Sequence, residues 1–502
     1  MGFVIDQRSC IGCHACTVAC KQEHGVELGV FRTWVKYVEQ GEFPDTRRHF
    51  SVLRCNHCDD APCVKICPTR ALFRREDGIV DFDPKRCIGC KACMNACPYE
   101  ALYIDPRSDT AHKCNFCAHR VDVGLKPSCE VVCPVDAIVS GDLDDPDSEV
   151  TRLIATVPAH VRAPEQGTRP KLYYLGAQEA AINPIDVTVG GAMLMTEVAE
   201  STREKLAPLA DEAHAVAMTD VSHPTPWGWK VSSYFLTKGA AAGAMMLAAL
   251  LLLSTPGGSP LADVVPGLVA LAGIALTGVF LVWDLKQPAR FLYLFTKPQW
   301  RSWLTLGAQV INVAALVAVA YTGAALLGLD GARDVLAWLM IPAGLMLAMY
   351  TAFLFGQCEG RDLWQSPLLF PHTVAHAIVA GAAVLAVLAL VLGAPAGLTE
   401  TLGWALLAGA LASAAIAALD LVAGHPTTQA ERAARNLVHD LYARRFWLGG
   451  IGLGVVAPAL LAALFLLTGA TALLAAGGLA ALVGLWLYED AWVRAGQSVP
   501  LS

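Results

Sequence analysis

The chain has 502 residues, of which 55% are hydrophobic and only 16% charged; its net charge is −7 and its mean hydropathy +0.46. This composition excludes an ordinary soluble globule, gives no basis for nucleic-acid binding, and points to a large membrane portion. Cysteine and charge lie mostly before Lys230 and apolar residues after it, so two dissimilar halves are expected.

Sixteen of the seventeen cysteines fall between Cys10 and Cys133 in four sets, each ending in a C-x3-C step. The sets are Cys10/Cys13/Cys16/Cys20, Cys55/Cys58/Cys63/Cys67, Cys87/Cys90/Cys93/Cys97 and Cys114/Cys117/Cys129/Cys133. Disulfides suit small secreted domains, whereas this sequence opens MGFVIDQRSC without an apolar signal stretch. Zinc ribbons use two C-x2-C pairs per ion and have no need for C-x3-C-P endings. Sixteen thiolates at this spacing instead suit four 4Fe–4S clusters, each a one-electron carrier. Two sets are near copies, C-I-G-C-H-A-C-T-V-A-C and C-I-G-C-K-A-C-M-N-A-C-P, which is an internal duplication of a bacterial ferredoxin unit. Small residues between the cysteines let backbone N–H groups approach the cluster sulfides. The runs F-R-T-W-V-K-Y and G-I-V-D-F-D-P-K read as short strands, giving an α+β ferredoxin-like module over residues 1–150.

This pattern resembles the four-cluster electron-transfer subunit of molybdopterin oxidoreductases such as dimethyl-sulfoxide and polysulfide reductases. The match includes the wide gap between Cys117 and Cys129 and Lys21 where the other sets have proline. The resemblance implies that the first set pairs with the fourth and the second with the third. One cluster would take Cys10, Cys13, Cys16 and Cys133, and another Cys114, Cys117, Cys129 and Cys20. The inner pair would be Cys55, Cys58, Cys63 with Cys97, and Cys87, Cys90, Cys93 with Cys67. Lys21 is either a solvated lysine or an inward charge that raises a nearby potential. Residues 151–230 are punctuated by Pro158, Pro164, Pro170, Pro184, Pro208, Pro224 and Pro226, and read as a connector along the membrane surface. Within it P-K-L-Y-Y-L-G resembles the end of the same cluster subunits.

A span needs about 20 mostly apolar residues. Eight candidates follow, near 232–254, 263–283, 303–327, 334–356, 369–392, 401–423, 446–467 and 470–488, an all-α eight-helix transmembrane bundle over 231–490 with a tail at 491–502. An even number of spans puts both ends of this half on one side. Loops there carry Lys286, Arg290, Lys297, Arg301, Arg361, Arg432, Arg435, Arg444 and Arg445, and the tail adds Arg494; the opposite loops carry only Arg333. The positive-inside bias makes the cluster side cytoplasmic in a multi-pass inner-membrane protein. A docking surface for the cluster module would explain some of the same charges.

W-G-W-K-V-S-S-Y-F, L-V-W-D-L-K-Q-P-A-R-F and Y-T-A-F-L-F-G make this half similar to the haem-free polysulfide-reductase anchor, the NrfD-like family. Many relatives have glycine in place of Ala352, which weakens a functional reading of Tyr350. The resemblance implies exchange of electrons and protons with quinone (menaquinone or ubiquinone) near the cluster-side surface. Lys238 either snorkels or donates to a quinone carbonyl. Asp284 forms a helix-end pair with Arg290 or belongs to the site. His372 and His376 share one face of the fifth span, and Asp420 and His425 end the sixth. His376 with His425 would be the axial pair of a haem b anchor of the formate-dehydrogenase type. Gly239 and Gly243 form a GxxxG packing face, and Cys358 reads as a buried apolar residue.

The combined expectation is an electron-transfer and membrane-anchor subunit, with no substrate-binding catalytic residues of its own. It would link a catalytic molybdenum or tungsten bis-pterin partner to the quinone pool in the lipid bilayer. The alternatives are a quinone-coupled proton-translocating module and the haem-containing anchor.

Overall fold

The computed structural model describes residues 1–42, 44–188, 193–194, 215–255 and 258–502. Its first half is built from short strands separated by the cysteine loops. Gly2–Asp6 (β1), Thr33–Gln40 (β2), Arg47–Arg54 (β3), Leu72–Arg74 (β4), Val80–Phe82 (β5), Leu102–Asp105 (β6) and Thr110–Lys113 (β7) are followed by Ile138–Gly141 (β8), Ala159–His160 (β9) and Leu172–Leu175 (β10). Val187–Thr188 (β11), Met193–Leu194 (β12) and Ala215–Asp220 (β13) complete the set. The two expected strand runs are β2 and β5. Hairpins β4–β5 and β6–β7 each stand between cysteine loops.

The described part of residues 151–230 is not the surface connector expected from its prolines. The P-K-L-Y-Y-L-G run forms β10, which pairs in parallel with β1, Phe3 facing Leu172 and Asp6 facing Leu175. Strand β13 pairs antiparallel with β2, Ala215 facing Gln40. These segments therefore complete the sheets of the cluster module, because alternating runs this short bury one face only by joining strands already present. Pro208 and the rest of 195–214 lie outside the described residues.

All eight expected spans are helices long and apolar enough to cross a membrane. They are Trp229–Ser254, Val265–Asp284, Trp303–Leu326, Asp330–Gly356, Leu369–Leu392, Ala396–Val422, Arg445–Thr468 and Thr471–Gly496. The first span packs against the second, fourth, fifth and eighth. Its G-A-A-A-G run makes this possible: Gly243 meets the fifth span so closely that a Cβ would fall on the Ala377 carbonyl and within 2.9 Å of Gly381 Cα. The seventh span is π-helical over Arg445–Val456 and α-helical from Ala457. Gly449, Gly450 and Gly454 sit in the wide turns against the eighth span, and Gly454 backbone rests on Gly484.

Gly243→Val should cost at least the ~1–3 kcal/mol of an overpacked core, because the opposing atoms are backbone and cannot yield. Thermal unfolding of the detergent-solubilised protein should show a lower midpoint than Gly278→Val, whose Cβ would meet nothing within 4 Å.

Candidate functional site

The sixteen cysteines gather into four groups, each mixing two sets. Cys67 joins Cys87, Cys90 and Cys93 around an empty volume of about 380 Å³. Cys97 joins Cys55, Cys58 and Cys63 around about 310 Å³. Cys133 is an electrostatic neighbour of Cys10, and Cys10 of both Cys13 and Cys16. Cys20 neighbours Cys114, Cys117 and Cys129. Cys129 is a neighbour of Cys16, Cys55 of Cys114, and Cys63 of Cys93. The groups thus follow one another in a row, the Cys10 group at one end and the Cys67 group at the other. Burial drives the thiols up, Cys16 to about 11 and Cys58 to about 12, which favours the neutral form unless positive charge is supplied.

Backbone N–H groups point at the sulfurs, as in His57 N to Cys55 Sγ at 3.4 Å, Leu72 N to Cys67 Sγ at 3.4 Å and Ala137 N to Cys133 Sγ at 3.3 Å. Left-handed turns at His14, Lys91 and Phe116 fold each loop back around its cysteines. The first and fourth sets are tied by Glu23, which accepts from Ser128 Oγ at 2.5 Å and lies 2.7 Å from His119 Nε2. Those two bonds hold its carboxyl down at about 2. Lys21 is half-buried: it donates to the carbonyls of Glu27 and Val30, lies 4.1 Å from the Phe31 ring centroid, and its charge bears on Cys20.

The Cys67 group rests on the membrane half. Lys286 N and Gln287 N donate to Gly89 O and Ile88 O, and Arg290 Nη1 reaches Pro84 O at 2.7 Å and Cys87 O at 2.9 Å. Ser302 Oγ bonds Ile66 O, and Thr305 Oγ1 bonds Pro68 O. Asp284 pairs with Lys91 at 2.9 Å, so it belongs to this docking surface. Arg361 pairs with Glu100 at 3.0 Å and also donates to Val499 O, which clamps residues 499–502 between the two halves.

Below the docking surface a small cavity is lined by Phe235, Lys238, Leu369, His372, His376, Tyr488, Glu489 and Trp492. Lys238 is 2% exposed and donates to Ala348 O at 3.0 Å and Thr351 Oγ1 at 2.5 Å, so it does not snorkel. Tyr350 lies beside it, its ring centroid 5.1 Å from Nζ, but outside the cavity lining. His376 Nδ1 is 3.6 Å from Glu489 Oε1, and Glu489 Oε2 is buried with no hydrogen-bond partner among the described residues. The His372 and His376 rings stand 4.1 Å apart, each about 5 Å from Tyr488. His425 is in the loop beyond the sixth span and does not line this cavity. Asp420 accepts from Ser366 Oγ at 2.7 Å. Cys358 is fully buried.

Aromatic rings fill the space between the Cys67 group and the cavity. Trp227 Nε1 donates to Cys90 O at 3.1 Å, and its ring lies 5.2 Å from Phe355. Phe355 is 5.2 Å from Phe235 and 5.3 Å from Trp492, both cavity residues. Sequence reasoning missed Glu489 and this aromatic bridge. The signal for Glu489 was the Y-E-D step inside an apolar run, which length alone placed beyond the last span.

Fold and site together define a membrane-anchored iron–sulfur electron-transfer subunit. Residues 218–499 match the family description "Polysulphide reductase, NrfD", and residues 47–143 match "4Fe-4S dicluster domain". This protein belongs to the polysulphide reductase NrfD family, with an iron–sulfur subunit of the reductase type fused to the anchor. It is similar to a tetrathionate reductase subunit of Salmonella typhimurium, 44% identical over 187 residues, 36% of this chain and 75% of that one. A polysulfide reductase chain of Wolinella succinogenes is 39% identical over 184 residues, 36% of this chain and 96% of that one. The arsenate respiratory reductase iron–sulfur subunit of a Shewanella species is 35% identical over 223 residues, 35% and 95% of the two chains. These findings fit the electron-transfer reading and favour neither alternative.

Burial by itself would raise the Glu100 carboxyl; His223, Arg361 and the Leu501 N–H outweigh it and hold the group below its ordinary range. A depressed folded value means stabilisation that is present above the unfolded carboxylate pKa and lost as pH falls through the folded one. Arg361→Gln should therefore destabilise the protein near neutral pH by up to about 3–5 kcal/mol, since it leaves the buried Glu100 without its guanidinium partner. The gap from the parent should narrow as pH falls through the depressed folded value of Glu100, where the carboxyl protonates. Unfolding midpoints across that range check it; a gap independent of pH would contradict it.

Proposed function

We propose that the chain carries electrons between a catalytic partner and quinone through four 4Fe–4S clusters. The proposed ligand sets are Cys10/Cys13/Cys16/Cys133, Cys20/Cys114/Cys117/Cys129, Cys55/Cys58/Cys63/Cys97 and Cys67/Cys87/Cys90/Cys93. The thiols surround spaces instead of converging on points, and among the described residues no three His, Cys, Asp or Glu side chains close on a single-ion site. That arrangement suits a cubane. Bound clusters supply one-electron carriers; the chain's own part is to hold them in a row and direct N–H groups at their sulfurs. The domain reading is a cluster module that includes the described strands up to β13, then the quinone-interacting anchor and a clamped tail.

Quinone is assigned to the Lys238 cavity. The observation that carries this is the aromatic bridge from the Cys90 carbonyl to Phe235 and Trp492 in the cavity wall. Quinol oxidation releases two electrons and two protons. Lys238, His376 and Glu489 supply a donor, an imidazole and a carboxylate within one apolar pocket for the carbonyl oxygens and the protons. Of the residues expected from the sequence, Lys238 and His376 remain candidates, Tyr350 supports Lys238, and Asp284 is a docking residue.

The partner is proposed to be a molybdenum or tungsten bis-pterin subunit, docked at the far end of the row. Cys13 is exposed there, and Ile11, Val18, Val131 and Val132 present apolar surface around Cys10 and Cys133. The relatives' names speak of reductases of tetrathionate, polysulfide and arsenate. The cluster side is proposed to be cytoplasmic. Lys286, Arg290 and Arg361 are used in docking, but Lys297, Arg301 and Arg444 remain on that side. Arg333 opposite is paired with Asp263, Asp330 and Asp334.

Two measurements test this reading. Cys67→Ser should lose the same paramagnetic signal as Cys87→Ser; sharing the signal lost by Cys55→Ser would break the pairing. Lys238→Met and His376→Ala should slow quinol-driven cluster reduction by about 10²-fold in stopped flow while dithionite still reduces every cluster. An unchanged quinol rate would remove quinone from this cavity.

A further inference from the structure

Two of the most deeply buried cations of the cluster module, Arg54 and Lys113, have no carboxylate partner among the described residues. Arg54 is 1% exposed, and Lys113 has no exposed surface. Lys36 pairs with Asp220 at 3.3 Å and Lys171 with Asp59 at 3.1 Å, while Arg162 donates to the carbonyls of Ile182 and Leu501 and Arg32 lies against Asn115 and His112. Arg54 instead donates from Nη1 to Cys129 Sγ at 3.0 Å, while its Nε and Nη2 are buried with no hydrogen-bond partner among the described residues. Its guanidinium lies 4.6 Å from the Phe3 ring centroid, and the charges bearing on it are those of Cys129, Cys114 and Cys16. Lys113 Nζ donates to the carbonyls of Val80 and Cys114, and its charge bears on Cys63 and Cys114.

Their positions follow the row of groups. Arg54 stands where Cys16 of the first group approaches Cys114 and Cys129 of the second. Lys113 stands where that second group approaches Cys63 of the third. A charge taken out of water without a counter-charge is strongly unfavourable, and neutral partners relieve only part of the cost. Phe3 and main-chain carbonyls are neutral. The negative charge that bears on both is that of the cysteine thiolates.

We propose that Arg54 and Lys113 are fixed counter-cations at two successive junctions of the row, where they favour the reduced centres and raise their reduction potentials. This rests on the cluster assignment above. Each reduction adds one electron to a centre, and the cations neither move nor give up a proton. Charge near a cluster is a recognised determinant of its potential. Because the second group touches both cations, it is the centre whose potential depends most on them. The same pairing makes centre insertion and burial of the two cations mutually dependent, as with other structural metal sites.

The test uses the full-length protein in detergent. Iron and sulfide content come first: about sixteen irons per chain in the parent supports four centres, and a much lower value sinks the cluster assignment whatever the potentials show. Potentiometric titration with electron paramagnetic resonance detection is then run on the parent, Arg54→Lys, Arg54→Met and Lys113→Met. With full iron content, Arg54→Met and Lys113→Met should each shift the second group's centre to lower potential. The Cys67 group's centre should stay unmoved, and Arg54→Lys should remain near the parent. Four unmoved potentials in the Met variants, or equal shifts in Arg54→Lys and Arg54→Met, would overturn the proposal. If Arg54→Met loses iron, Arg54→Lys decides: retention of full iron supports a charge role, and loss in both overturns it.

Discussion

Everything in this protein depends on how the third cysteine loop is fastened to the membrane half. Backbone N–H groups of Lys286 and Gln287 donate to the carbonyls of Gly89 and Ile88, inside the loop that carries Cys87 and Cys90. Main-chain bonds have no rotamer freedom, so they set the height of that group above the spans more firmly than side chains could. A buried main-chain group left unpaired would be costly, which gives the seam a penalty for slipping. Gly89 fits here because its φ is +68°, and a Cβ would meet Lys286 N and the Asp109 carbonyl.

The remaining contacts extend this seam outward. Lys91–Asp284 flanks it, Ser302 and Thr305 cap the carbonyls around Cys67, and Glu100–Arg361 closes the opposite margin. Each charged pair lies at the edge of apolar helices, where desolvation penalises a missing partner more than the pair itself rewards. The charges thus specify how the two halves meet more than how strongly they adhere. The last residues add to this, since Ser502 O accepts from Lys36 of the cluster module and Leu501 O from Arg162.

Legibility in the sequence tracks physical range. The cysteine sets and the apolar runs are local patterns, and both were legible; helix starts at Trp229 and Ala396 differ from the expected ones by a few residues, as polar first turns hide the boundary. The P-K-L-Y-Y-L-G run of β10 resembles the end of the cluster subunits, but four residues carry too little alternation to announce a partner 169 positions away at Phe3. Which thiol crosses to which set is likewise a long-range property that spacing cannot express. Asp284 illustrates the limit from the other side: an acid at a helix end invites a site reading, and only the position of Lys91, 193 residues earlier, makes it a docking contact.

The cavity shows why ionisable groups can sit so deep. Lys238 is held by a main-chain carbonyl that the fourth span leaves available at Ala348 and by the hydroxyl of Thr351, so its polar head is satisfied without an ion pair. The alanines and glycines of the first span let the fourth and fifth spans approach closely enough for this. Glu489 is different: one oxygen faces His376 and the other has no hydrogen-bond partner among the described residues. A buried carboxylate oxygen without a donor is costly, and such groups persist where function uses them. The same small-residue packing that makes the bundle tight therefore leaves one acceptor unspent, at the end of an aromatic path that begins on a cysteine carbonyl. The proposed quinone chemistry needs an acceptor at that place, and bundle stability alone does not account for one.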